Sequence, residues 1–293
     1  MVSDFFHSVI FSMSDAAIRF RRCVAQGRPA ILKLATADLI QALPHMAPFD
    51  LVNSLRIAPN GSPAIQAIVS EVTGRGNFKN FNPTDLTIFL SAIAKSNAKF
   101  PLGNVVPTLT RLGTAYRTSD LLTSLWAISR LTNDKLILMQ CLSLVSALFR
   151  NQPDRYAEIS LVNFTQVLHA LSKCPEASLT DDFVTQLCLA VIPKLNQLDD
   201  QALPFVLAVL AKVKARDLQI LTPFFATVNA ELLARDSMPP KLFVDSVRAL
   251  GRLRQLDRPV LERRLGRIPL NALNSIQLRG LQNACVSVGL PSP

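Results

Sequence analysis

Eight cations crowd the 27 residues from Lys241 to Arg267, and seven of the eight are arginine. Lys241, Arg248, Arg252, Arg254, Arg258, Arg263, Arg264 and Arg267 stand against only Asp245, Asp257 and Glu262, a net +5 that is half of the chain's formal +10. Arginine offers a planar fork of donors that matches a phosphate, whereas lysine offers a point charge. The stretch is therefore equipped for polyanion recognition, and its plain alternative is a solvated basic surface. A second set of cations is spread along the chain: Lys95, Arg130, Lys173, Lys212 and Arg252 each close the same ten-residue pattern. One reading makes each a cation at a helix C-terminus, where it favours the unpaired carbonyls by about 0.3 to 1 kcal/mol. The other makes them a ladder of positive charge, one rung per repeat.

Residue types that could support catalysis do not come together. His7, His45 and His169 lie in unrelated stretches, with no HxxxH, no nucleophile elbow and no phosphate loop. Cys23, Cys141, Cys174, Cys188 and Cys285 show neither CxxC spacing nor partner histidines, and read as small buried hydrophobes in a reducing compartment. The acidic pairs Asp181-Asp182 and Asp199-Asp200 precede helices, where acids serve as caps and dipole partners. His169 lines a binding groove or is a surface histidine without a role. The expectation is a protein without enzymatic activity, cofactor, metal or small-molecule substrate.

The cations depend on the elements that carry them. The pattern runs Leu86 to Lys95, Leu121 to Arg130, Phe164 to Lys173, Leu203 to Lys212 and Phe243 to Arg252, with starts 35, 43, 39 and 40 residues apart. Positions 1, 5 and 8 are apolar and share one face of a 3.6-residue turn. Position 9 is small in every copy (Ala94, Ser129, Ser172, Ala211, Gly251), as suits a point where a neighbouring helix backbone passes close by. A period near 40 predicts an all-α fold, an α-solenoid of antiparallel helix pairs. Second helices are expected at Leu102 to Leu112, Lys135 to Phe149, Thr180 to Leu195, Leu218 to Leu233 and Pro259 to Ile268. Lys135 to Phe149 is apolar almost all round, which predicts a helix sandwiched inside the stack. Caps are expected from Asn82-Pro83-Thr84-Asp85, Thr118-Ser119-Asp120 and Pro239-Pro240. A terminal half-repeat starts at Leu281.

Three domains follow. Residues 1-35 are a basic amphipathic segment with Arg19, Arg21, Arg22 and Arg28 among apolar and serine residues. This resembles a mitochondrial presequence; an ordinary basic helix fits equally, and an uncleaved targeting helix satisfies both. Residues 36-81 hold a degenerate capping repeat, with Leu39 and Leu43 in motif positions and a partner helix at Ala64 to Val72. They end in the loop Gly74 to Pro83, a solvated connector or, through Arg75 and Lys79, a phosphate contact. Residues 82-293 form five repeats and the half-repeat. Apolar runs such as Leu203 to Ala211 fall far short of the ~18 residues that cross a bilayer, so no membrane role is expected.

The copies, Leu-Trp-Ala-Ile-Ser-Arg-Leu above all, resemble the heptatricopeptide and octotricopeptide class of helical repeats of organellar RNA-binding proteins, including the FAST-kinase-like and RAP-domain proteins. The resemblance spans about Asn82 to Gly289, although HEAT and armadillo repeats share its period. It implies RNA binding in a mitochondrial matrix ribonucleoprotein. The repeats run to the end of the sequence, so a RAP domain's nuclease-like residues have no counterpart. The Pro-Pro-Pro-Glu-Trp signature is missing too, so no one-base-per-repeat code is implied.

The +10 charge independently favours a polyanion partner, although basicity also serves organellar import. With one Trp, two Tyr and 16 Phe assigned mostly to core positions, few rings remain for stacking bases. Phosphate and shape contact to structured RNA, ribosomal RNA for example, is the expectation, alongside other proteins of a large ribonucleoprotein. The expected contacts are Lys95, Arg130, Lys173, Lys212, Arg248, Arg252, Arg254, Arg258, Arg263, Arg264 and Arg267. A protein-binding solenoid scaffold without RNA contact is the competing reading.

Overall fold

The structure, a computed structural model, describes residues 15–74, 78, 80–96, 98–174, 181–213 and 219–291. Among the described residues there is no strand, and the fold is all-α. After a helix over residues 15–26 (α1) come α2 (Pro29–Ala42), α3 (Pro48–Ile57), α4 (Pro63–Gly74), α5 (Pro83–Ser96), α6 (Val105–Leu112) and α7 (Thr118–Leu131). Then follow α8 (Lys135–Asn151), α9 (Leu161–Lys173), α10 (Asp181–Val191), α11 (Ala202–Lys212), α12 (Thr222–Ala234), α13 (Pro240–Leu253), α14 (Arg258–Leu265) and α15 (Ser275–Ser287). The chain divides into two compact units, Met1–Cys141 and Leu142–Pro293. The predicted array of residues 82-293 therefore spans a unit boundary, and the predicted boundary at residue 35 falls inside α2.

Within each unit the packing is solenoid-like. In the first, α3 packs on α5 and α5 on α7, while α4 packs on α2 and α3. In the second, the first helices of successive repeats stack in order, α9 on α11, α11 on α13 and α13 on α15. Their partner helices form a second layer, α10 on α12 and α12 on α14. The motif explains the stacking. Every residue at positions 1, 5 and 8 is buried, from Leu86, Leu90 and Ile93 through Phe243, Val247 and Leu250. At position 9, a Cβ added to Gly251 would lie 3.4 Å from the Cα of Ala284 on α15, the close backbone approach expected there.

Helix starts follow their caps. Asn82 Oδ1 accepts from the Asp85 amide at 2.9 Å, Ser160 Oγ from Asn163 at 3.1 Å and Asp199 Oδ1 from Ala202 at 2.6 Å. Asn274 and Gln277 form a reciprocal capping box on α15. Thr118 departs from expectation: it is the first helical residue, and Arg117 stands before it without a side-chain cap. No helix of the described residues is long and apolar enough to cross a membrane.

Four expectations are corrected. The helix at Lys135 is not sandwiched, because Leu136, Met139, Gln140 and Ser143 are exposed along one side. The loop before Pro83 is not merely solvated: Phe78 and Phe81 are buried in a ring cluster with Phe89 and Phe100, at centroid distances of 5.3 to 5.8 Å. Arg75 and Lys79 lie outside the described residues. The N-terminal element stacked on α5 is α3, which the periodicity reading overlooked, while Leu39 and Leu43 are buried at the end of α2 and in the short turn after it. The last helix begins at Ser275 rather than near Leu281, and ends before Gly289, whose φ of 72° closes it.

Arg254 closes α13 in the same left-handed way, with φ 57°, while Gln255 N donates to Leu250 O and Arg254 N to Gly251 O. A Cβ is strained there. Arg254→Gly is expected to stabilise the protein by roughly 0.5 to 1 kcal/mol, read as a higher denaturant midpoint at unchanged slope. Leu125→Ala, at a fully buried motif position 5, is expected to cost about 2 to 5 kcal/mol.

Candidate functional site

A basic concavity of the second unit lies between α13 and α15, a groove of about 500 Å³ lined by Arg248, Arg252, Arg279, Ser275, Ile276 and Asn283. Two helical rows face each other across it. Arg248 and Arg252 are one turn apart on α13, and Ser275, Arg279 and Asn283 are spaced by four residues on α15, so each row shares one helix face. Arg252 and Arg279 are exposed, and neither forms an ion pair among the described residues. Arg248 pairs with Asp245 at 3.4 Å on its own helix. Three guanidiniums against one carboxylate leave the groove positive, with hydroxyl and amide groups beside them. That set of donors fits the oxygens of a phosphodiester.

Arg279 was missed in the sequence because it lies outside the dense stretch and because the last helix was placed too late. The four-residue spacing of Ser275, Arg279 and Asn283 is the signal that marks it.

The rest of the dense stretch divides into different environments. Arg258 is engaged by Glu262 on its own helix, and Arg263 pairs with Asp236 at 2.8 Å. Both pairs are exposed and contribute little stability. Arg254 and Arg267 are exposed. Arg264 is a correction: it is buried, its guanidinium lies 4.3 Å from the centre of the Phe243 ring, and it donates to Met238 O at 2.7 Å and Arg235 O at 3.2 Å. Burial lowers its pKa, with the nearby Asp236 and Asp200 opposing that shift. With its donors turned inward, Arg264 is a brace rather than a surface contact.

The same brace recurs. Arg111 Nη2 donates to Phe78 O at 3.0 Å, Lys194 Nζ to Ile159 O at 2.6 Å and Arg235 Nη2 to Leu195 O at 3.2 Å. In each case, as for Arg264 and Met238, a cation at the C-terminal end of a repeat's second helix satisfies a carbonyl just before that repeat's first helix. Arg235 also pairs with Asp200 at 3.0 Å.

The cation column at position 10 lies where helix chemistry favours it, with Lys95, Arg130, Lys173, Lys212 and Arg252 each in the last turn of its helix. Lys95 and Lys212 are exposed, and Lys173 is half-buried with interactions of its own. Arg130 is exposed and lies 6.0 Å from the Trp126 ring centre. His169 is half-buried. Lys95 and Ser91 line a groove of about 460 Å³ in the first unit, with Arg56, Asp120 and Thr123. Ser91 and Lys95 hold the same motif positions as Arg248 and Arg252. Asp120 gives this groove mixed charge where the α13–α15 groove is cationic.

Cys141, Cys174, Cys188 and Cys285 are buried and outside any disulfide, and burial pushes the Cys141 thiol up to about 12 and the Cys188 thiol upward as well. Among the described residues no three His, Cys, Asp or Glu side chains come together to hold a metal ion. In comparisons with known proteins, the chain matches no family model and no curated protein.

The two arginine classes separate by stability. Arg264→Gln is expected to cost roughly 2 to 4 kcal/mol, because it strips the buried Met238 carbonyl of its donor and removes the guanidinium from the face of Phe243. Arg252→Gln is expected to stay within about 0.5 kcal/mol of the parent. Equilibrium denaturation of the two variants checks both.

Proposed function

We propose that the protein is a non-catalytic RNA-binding helical-repeat protein that contacts phosphates of structured RNA, as a structural or assembly component of a mitochondrial ribonucleoprotein such as the mitoribosome. The observation that carries this reading is the α13–α15 groove, where Arg252 and Arg279 stand exposed beside Arg248 without an acidic partner of their own among the described residues. The buried rings agree with backbone rather than base recognition, since Phe89, Phe164, Phe224, Phe225 and Phe243 are all enclosed. A mitochondrial address is supported by the amphipathic character of α1, which buries Ala17 and Phe20 and exposes Arg19, Arg21 and Arg22.

A protein-scaffold reading has one observation in its favour: α15 also exposes Ile276 and Val286, about two thirds of each residue's surface. Salt separates the two readings, because release of counterions makes phosphate binding fall steeply with salt, whereas apolar docking does not. Binding of a structured RNA is expected to weaken at least tenfold between about 50 and 200 mM salt. Arg252→Gln/Arg279→Gln is expected to reduce both the affinity and the salt slope, by about two phosphate contacts, with folding intact. RNA affinity no greater than that of an unrelated basic protein of equal net charge overturns the RNA reading in favour of the scaffold. A fluorescent protein carrying residues 1-35 at its N-terminus is expected to enter mitochondria, and cytosolic retention removes the address.

A further inference from the structure

Gly280 lies in the middle of α15, directly against the side chain of Arg248 on α13. A Cβ added to Gly280 would collide with Arg248 Cδ, would lie 2.7 Å from its Cγ and 3.3 Å from its Cβ. The aliphatic stem of Arg248 therefore lies on bare helix backbone, in a place any larger residue would fill. Its far end is held as well. The guanidinium pairs with Asp245 at 3.4 Å, and the other Asp245 oxygen accepts from Gln277 Nε2 at 3.1 Å. Gln277 is itself fixed by the capping box, with its amide donating to Asn274 Oδ1 at 2.8 Å and its Oε1 accepting from the Asn274 amide at 3.3 Å. A path of contacts thus runs from the start of α15 through Gln277 and Asp245 to the one arginine of the groove that is not freely exposed.

Holding a long side chain at both ends removes rotamer freedom before any ligand arrives, so less entropy is lost on binding. Arg252 and Arg279 are exposed and have no such support among the described residues. We infer that Gly280 is a positioning residue, which together with the Gln277–Asp245 link sets the pose in which Arg248 meets a phosphate in the α13–α15 groove. This rests on the RNA-binding reading and adds to it the device that fixes one contact. The rival explanation is that Gly280 merely lets the helices approach, as Gly251 and Ala284 do.

A double-mutant cycle decides between them. Gly280→Ala, Arg248→Ala and the pair are compared by binding to a structured RNA across a salt series, and separately to inorganic tripolyphosphate. Gly280→Ala is expected to weaken RNA binding about tenfold and to lower the salt slope by about one phosphate contact. In the Arg248→Ala background the same change is expected to alter binding less than about twofold, because there is no stem left to displace. Should Gly280→Ala not fold, Gln277→Ala carries the same pattern with a smaller loss, since it frees Asp245 and leaves the glycine untouched. Unchanged binding by Gly280→Ala, or an equal loss with and without Arg248, overturns the positioning role. If the cycle holds for tripolyphosphate while the parent protein ignores RNA, the RNA reading fails and the positioning role stands; if the parent binds neither, both fall.

Discussion

The fold depends on the covering of one face of each first helix by its neighbours. Leu121, Leu125 and Ile128 are all buried, as are their counterparts in the other four copies. Burying such a side chain contributes about 1.5 to 3 kcal/mol, yet a lone helix in water has nothing to bury it against. A second seam runs at position 4, where Phe89, Ser124, Val167, Val206 and Ser246 are also buried. Between α5 and α7 a polar contact joins this seam: the Thr87 hydroxyl, at position 2, lies 2.8 Å from the Ser124 hydroxyl at position 4. The first helices are thus covered on two sides, and stability builds through nearest-neighbour contacts along each unit.

A stack of helix pairs leaves a problem at its corners, where the segments leading into the first helices must be pinned to the second helices. The recurring brace answers it with a cation from the end of the second helix, reaching back 33 residues from Arg111, 35 from Lys194, 40 from Arg235 and 26 from Arg264. An arginine so placed has its charge spread over carbonyl oxygens, and in the case of Arg264 over the face of Phe243. Part of the chain's basicity is consequently internal chemistry. The charge available to a partner is smaller than +10 suggests, and it is concentrated where the braces are not.

That concentration gives the α13–α15 groove its character. The equivalent surface in the first unit uses the same motif positions, but Asp120 faces Lys95 and Arg56 there, and the Asp120 carboxylate is already engaged by the Thr84 hydroxyl at 3.2 Å. The same motif positions therefore carry different electrostatics, set by a few residues around them. The small residues Gly251, Gly280 and Ala284 matter for the same reason, because they bring α13 and α15 close enough for side chains of both helices to line one groove.

The burial of positions 1, 5 and 8, the small residue at 9, the terminal cation at 10 and the all-α class were legible in the sequence. All four follow from a turn of 3.6 residues, which is a property of ten consecutive residues and needs no partner. Which cation is free was not legible. Arg263 and Arg264 are adjacent and chemically identical, yet one is exposed in a surface pair and the other is enclosed under Phe243. The difference lies with Arg235, Met238 and Asp236, 26 to 29 residues away in the chain. Arg279 joined the groove only through the packing of α15 on α13, and Phe78, in a bend between helices, is buried because Phe81, Phe89 and Phe100 enclose it. Periodicity decided which way each helix faces; the burial or exposure of each charge belongs to contacts that exist only after distant segments have packed.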